Sequence, residues 1–95
     1  MNLVLVLTAG PRSDGAETVL ALATAAAELG HPTSIFLAGD GVLSAAALAG
    51  RFPVTLCEAD LRWRQPQPAE FVGVRRGSLA DLARMVRDAD QVLRF

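Results

Sequence analysis

The sequence predicts an α/β domain built on a mainly parallel sheet of four to five strands, with helices on both faces. Three observations carry this reading. Strand-length apolar runs are continuous instead of alternating, helical stretches are interleaved between them, and Gly or Pro closes almost every segment. Strands buried on both faces read as unbroken apolar runs, and parallel neighbours need a crossover connection between them.

The first strand is the aliphatic run Asn2 to Thr8, which ends at Ala9-Gly10-Pro11. Ser13-Asp14 then opens a helix, and Glu17, three residues after Asp14, resembles the acidic partner of a capping box. An Ala- and Leu-rich stretch runs from Ala16 to Leu29. Gly30 closes it as a C′ glycine, and His31-Pro32 forbids continuation. Val19, Leu20 and Leu22 do not share one face of this helix. Either it is deeply covered or its outer face packs on another subunit, and the second is the expectation for so small a domain.

Thr33 to Ala38 is the second strand, stopped by Gly39-Asp40-Gly41, and Val42 to Ala49 is a short helix that Gly50 ends. Pro53 introduces a third strand, Val54 to Cys57. The stretch Glu58 to Gln67 is polar, and Gln65-Pro66-Gln67-Pro68 reads as a loop. Phe71 to Val74 supplies a fourth strand. Ser78 caps an amphipathic helix with Asp81 at the capping-box position, and Val92-Leu93 forms a last short strand. No internal repeat or long linker divides the chain, so residues 1–95 are expected to form a single domain.

Composition bounds the function. At 95 residues, 52% are hydrophobic and only 5% aromatic, so the core is aliphatic and some apolar surface is left for partners. Nine basic residues face ten acidic ones, without the basic excess that nucleic-acid binding normally shows. Every basic residue is Arg, so any anion contact falls to guanidinium groups. One cysteine makes no internal disulfide, which fits a reducing, cytoplasmic compartment. The run Leu3 to Leu7 is far below the ~20 residues that span a membrane, and no basic n-region precedes it. One Cys and one His build no zinc site.

In parallel sheets, ligands bind beyond the carboxyl ends of the strands. Thr8 to Asp14, Gly39 to Val42, Cys57 to Arg64 and Arg75 to Ser78 converge there. Cys57 is the leading candidate, because a thiolate is the competent sulfur nucleophile and responds to nearby positive charge or a helix start. Arg62, Arg64, Arg75 and Arg76 offer charge, and a helix beginning just after Cys57 offers a dipole. Glu58 and Asp60 oppose the thiolate. The alternative is a buried cysteine acting as a small hydrophobe. Trp63, between two arginines, either stacks on a ligand or partner or lids the core edge. Gly10 to Gly15 matches no phosphate-loop pattern and reads as a tight turn with a helix cap. His31 reads as a solvated turn residue.

The order of these pieces resembles the DsrE/DsrF/TusD family of small sulfur-relay proteins over nearly the whole chain. The similarity is carried by Gly15-Ala16-Glu17-Thr18, by Ala25-Ala26-Ala27-Glu28-Leu29-Gly30-His31, by Ser34-Ile35-Phe36-Leu37-Ala38-Gly39-Asp40-Gly41-Val42, and by the ending Gly77-Ser78-Leu79-Ala80-Asp81-Leu82 through Val92-Leu93-Arg94-Phe95. The resemblance implies a three-layer α/β/α domain that assembles as a homo-oligomer, trimer or hexamer, or as a hetero-oligomer with related subunits. It implies that Cys57 carries sulfur as a persulfide between a donor and an acceptor protein, without a cofactor. The competing expectation is a non-catalytic assembly subunit with Cys57 buried and inert.

Overall fold

The computed structural model of the chain describes residues 1–65 and 71–95, so the expected loop at Pro66 to Pro68 lies outside the described residues. Five strands form one sheet: β1 (Leu3–Leu7), β2 (Thr33–Leu37), β3 (Val54–Cys57), β4 (Val74–Gly77) and β5 (Gln91–Arg94). Their spatial order is β4-β3-β2-β1-β5, and every neighbouring pair is parallel. Between them lie α1 (Asp14–Glu28), α2 (Ala45–Leu48), α3 (Glu58–Arg64) and α4 (Leu79–Asp88).

The strand order explains the layers. From β1 to β4 the chain steps steadily towards one edge, and right-handed crossovers keep α1, α2 and α3 on one face. From β4 it returns across the whole sheet to β5, which sends α4 over the other face. Registered alternation puts Leu3, Leu5, Leu7, Ile35, Leu37, Val54 and Leu56 on the first face. They form the core with Val19, Ala23 and Ala26 of α1, Ala45 and Leu48 of α2, and Leu61 of α3. Val4, Val6, Ser34, Phe36, Thr55 and Cys57 lie on the second face.

Several boundaries differ from the sequence expectation. Ser13, not Asp14, caps α1: its Oγ accepts from the Ala16 N–H at 3.2 Å and donates to the Gly10 carbonyl at 2.6 Å. The loop from Gly10 is therefore a tight turn closed on its own cap. Gly39–Ser44 is a 3-10 segment, leaving only four residues of α-helix in α2. The tighter winding brings Gly41 so close to β1 that a Cβ there would collide with the Leu7 carbonyl. The helix expected just after Cys57 is present as α3 and takes in the polar stretch to Arg64. Strand β4 starts at Val74 and not at Phe71, because Gly73 (φ 81°) forms a turn closed by Val74 N–H donating to the Phe71 carbonyl at 3.3 Å.

The outer face of α1 also differs. Val19 is fully buried and Leu20 and Leu22 pack on the core margin, so the exposed positions are Ala21, Ala25 and Ala27 with the polar Asp14, Glu17, Thr18 and Glu28. Exposed large apolar side chains include Leu79 and Val86 of α4, and Val92 and Leu93 of the edge strand β5, besides Leu29, Leu43, Trp63 and Val72 elsewhere. No described helix is long and apolar enough to cross a membrane.

Because backbone cannot move aside as a side chain does, Gly41→Ala is expected to cost at least ~2 kcal/mol of stability. Urea unfolding measures this directly, and a midpoint equal to that of the wild type would contradict the packing described.

Candidate functional site

All strands run the same way, so their carboxyl ends emerge on one edge. There β3 ends in Cys57, which is only 6% exposed and serves as the N-cap residue of α3. Across the sheet Cys57 stands in register with Gly77, the last residue of β4. Both strands leave into helices, α3 over one face and α4 over the other, and the two helix starts spread apart. The result is an open groove of about 930 Å³ with Cys57 among its lining residues. One wall is Glu58, Ala59, Asp60 and Arg62, and the other is Gly77 with the first turn of α4 from Ser78 to Asp81.

The second wall is fixed by a capping box. Ser78 N–H donates to Asp81 Oδ2 at 2.8 Å, and the Ser78 side chain answers the α4 backbone. Gly77 leaves room for this: a Cβ there would sit 2.7 Å from Asp81 Oδ2 and 2.9 Å from Thr55 Cγ2. The Ser78 N–H and then Arg84, whose Nη2 lies 2.6 Å from Oδ1, hold the Asp81 carboxyl below its ordinary value of 3.8.

The first wall is fixed from behind. The Asp60 carboxylate accepts from the Gly39 N–H at 2.7 Å, tying α3 to the exit of β2. Arg64 reinforces the tie, donating from Nε to Asp40 at 2.9 Å and from Nη1 to the Asp60 carbonyl at 3.1 Å. Glu58 meets Arg62 Nη2 at 3.2 Å, and Arg76 Nη1 lies 3.8 Å from the same oxygen. Both carboxylates that oppose a thiolate in the sequence reading are thus engaged by donors of their own.

The sequence-predicted site residues separate accordingly. Cys57 and Arg62 line the groove. Arg75 and Arg76 reach it indirectly, through Asp81 at 3.4 Å and through Glu58. Arg64 turns to the β2 exit. Trp63 is 86% exposed and lines neither the groove nor the core edge, so it is not a lid. His31 Nδ1 lies 3.1 Å from the N-terminal amine, outside the residues that line the groove. Sequence reasoning missed Leu79, Ala80 and Asp81 as a wall. The capping box at Ser78 was the available signal, since it marks where α4 begins beside the end of β4. No described group of three or more His, Cys, Asp and Glu residues is placed to hold a metal.

The arrangement agrees with the comparisons to known proteins. The DsrE/DsrF-like family matches residues 1–65, from β1 through the cysteine to the end of α3. The chain belongs to this family. A DsrE-like architecture also accounts for the part beyond the match: the crystal structure of the YchN protein from E. coli is similar over 100% of this chain and 99% of that one. The TM-score is 0.83, at 26% sequence identity. No curated protein matches. The DsrE-like fold is thus present with its sheet complete, and the third strand delivers the cysteine to the groove.

Two measurements check this geometry. A carboxyl lowered in the folded state contributes stability above its unfolded value, and the contribution is lost as pH falls through the folded value. Asp81→Asn should therefore lower the urea midpoint at neutral pH and flatten its decline below about pH 4, whereas parallel curves would contradict the capping role. Trp63→Ala should change stability by less than ~0.5 kcal/mol.

Proposed function

We propose that this chain is a relay-type sulfur carrier, a single-domain cytoplasmic subunit that holds sulfur as a persulfide on Cys57 within an oligomeric assembly. The observation that carries the reading is the position of Cys57 in a DsrE-like chain: the end of a parallel strand, beside an open groove. Parallel sheets place ligands at this edge, and the groove leaves room for a segment of a donor or acceptor protein.

The chemistry needs no cofactor. The Cys57 thiolate attacks the outer sulfur of a donor persulfide; the new S–S bond forms as the donor's S–S bond breaks, and the donor leaves as a thiolate. An acceptor thiolate then attacks the outer sulfur on Cys57, and Cys57 leaves as a thiolate. One sulfur atom moves at each step with no net oxidation. Arg62 at the rim, with Arg75 and Arg76 behind it, would steer an acidic partner segment to the groove. Trp63 would take part in binding as an exposed aromatic anchor.

A second reading rests on the burial of Cys57. A thiol only 6% exposed behaves as a small hydrophobe, and the chain is then a non-catalytic subunit of a DsrE-like assembly. Incubation with a cysteine desulfurase and cysteine, followed by intact-mass measurement, separates the two. Wild-type protein should gain the mass of one sulfur and Cys57→Ser should gain none. If the wild type stays unmodified while its thiol is also inert to alkylation near neutral pH, the carrier reading falls and the assembly subunit stands.

A further inference from the structure

At the free edge of the sheet, β5 combines three properties that together describe a pairing surface. All four residues, Gln91 to Arg94, are exposed, with Val92 and Leu93 each at 39%. The backbone is half used: Gln91 N–H donates to the Asn2 carbonyl, Phe95 N–H donates to Val6, and the Phe95 carbonyl accepts from Thr8. Residues 91, 93 and 95 thus turn their amide groups towards β1, and alternation leaves those of Val92 and Arg94 pointing outward. Finally, the edge lacks the usual guards. The opposite edge, β4, carries Arg75 and Arg76 side by side, whereas the middle of β5 is apolar and holds no proline.

We infer that β5 pairs with β5 of a second copy of this chain, antiparallel, about a twofold axis at Val92. In that register Val92 meets Val92 of the second copy, and the outward N–H and C=O of each donate to and accept from the other. Gln91 stands opposite Leu93, and Asp90 opposite Arg94, twice. Residues 90, 92 and 94 share one face of the sheet, so both charge pairs flank the valine contact. Asp90 spends Oδ2 on the Asn2 N–H at 2.6 Å and keeps its other oxygen, and Arg94 has no ion-pair partner among the described residues. Neighbouring registers are worse. An axis at Leu93 sets Val92 against Arg94 and loses both charge pairs, and an axis at Arg94 sets arginine on arginine. The pairing would join two five-stranded sheets into one continuous sheet. It rests on the oligomeric part of the proposed function and is independent of persulfide chemistry.

The test is the mass of the full chain in solution by light scattering. Val92→Pro removes the outward N–H and the valine contact but no bond to β1, at a position where an edge strand tolerates proline, so the fold persists while the pairing fails. It should halve the mass of the wild-type particle, with circular dichroism unchanged. Arg94→Glu and Asp90→Arg should each halve it as well, by facing like charges across the axis. An equimolar mixture of these two variants should restore the full mass, because the introduced glutamate meets the introduced arginine and native Asp90 meets native Arg94. A wild-type oligomer that keeps its mass in all three variants overturns this interface and leaves the oligomeric reading intact. Folded variants of reduced mass that do not recombine overturn the register and with it the proposal. A monomeric wild type overturns both.

Discussion

Parallel alignment of five strands is the constraint from which the rest of this molecule follows. Because each strand must be re-entered from the same end, each exit opens on the same edge, and segments far apart in sequence are brought together by topology. Thr8 to Asp14, Gly39 to Val42, Cys57 to Arg64 and Arg75 to Ser78 meet there, and bonds such as Asp60 to Gly39 and Arg64 to Asp40 then fasten neighbouring exits to one another. The reversal between β4 and β5 adds the groove. It sends α4 to the opposite face from α3, so the two helices diverge from adjacent strand ends and the space between their first turns stays open.

What the side chains add is rigidity around that space, and carboxylates supply most of it by binding backbone. Asp60 takes the Gly39 N–H, Asp81 takes the Ser78 N–H, and Asp90 takes the Asn2 N–H. Charge-assisted bonds of this kind are stronger than neutral ones; Asp60 ties α3 to the exit of β2, Asp81 closes the first turn of α4, and Asp90 reinforces the start of the β1–β5 pairing. Surface ion pairs of the arginines contribute little stability by comparison. Their effect is local and electrostatic: Glu58, next in sequence to Cys57, faces two guanidinium groups, so the edge around the thiol is not the acidic patch that Glu58-Ala59-Asp60 suggests in isolation.

Legibility in the sequence followed how local each cause is. Strands β1, β2 and β3, the glycine after α1 and the Ser78 cap all depend on residues within a few positions of one another, and their patterns announce them. Elements set by distant contacts were shifted or unforeseen. The 3-10 segment packs Gly41 beneath the Leu7 carbonyl, and β4 starts only after the turn at Gly73, neither of which periodicity can show; the helix expected just after Cys57 is present as α3, held by Gly39 and Asp40 across the edge. For the site, topology found the edge and the cysteine. It grouped Arg64 and Trp63 with them only through proximity in the chain, whereas a helix turns successive residues by about 100° and sends neighbours different ways.

The unequal coverage of the two faces resolves the apolar excess in the composition. On the first face three helices bury an aliphatic core completely, and α1 does so with its larger residues inward and alanines outward. The second face has only α4, a ten-residue helix none of whose residues is buried, lying beside Ser34 and Thr55 as well as Val4. A short helix on a mixed surface cannot exclude water from Leu79 at one end or Val86 near the other, and β5 beyond it has no helix of its own. Part of the surplus hydrophobicity therefore lies not on the face of the first helix, where sequence periodicity locates it, but on α4 and on the lateral edge that the chain reaches last. That edge lies along the side of the sheet, while the groove opens at the strand ends, so covering one does not require closing the other.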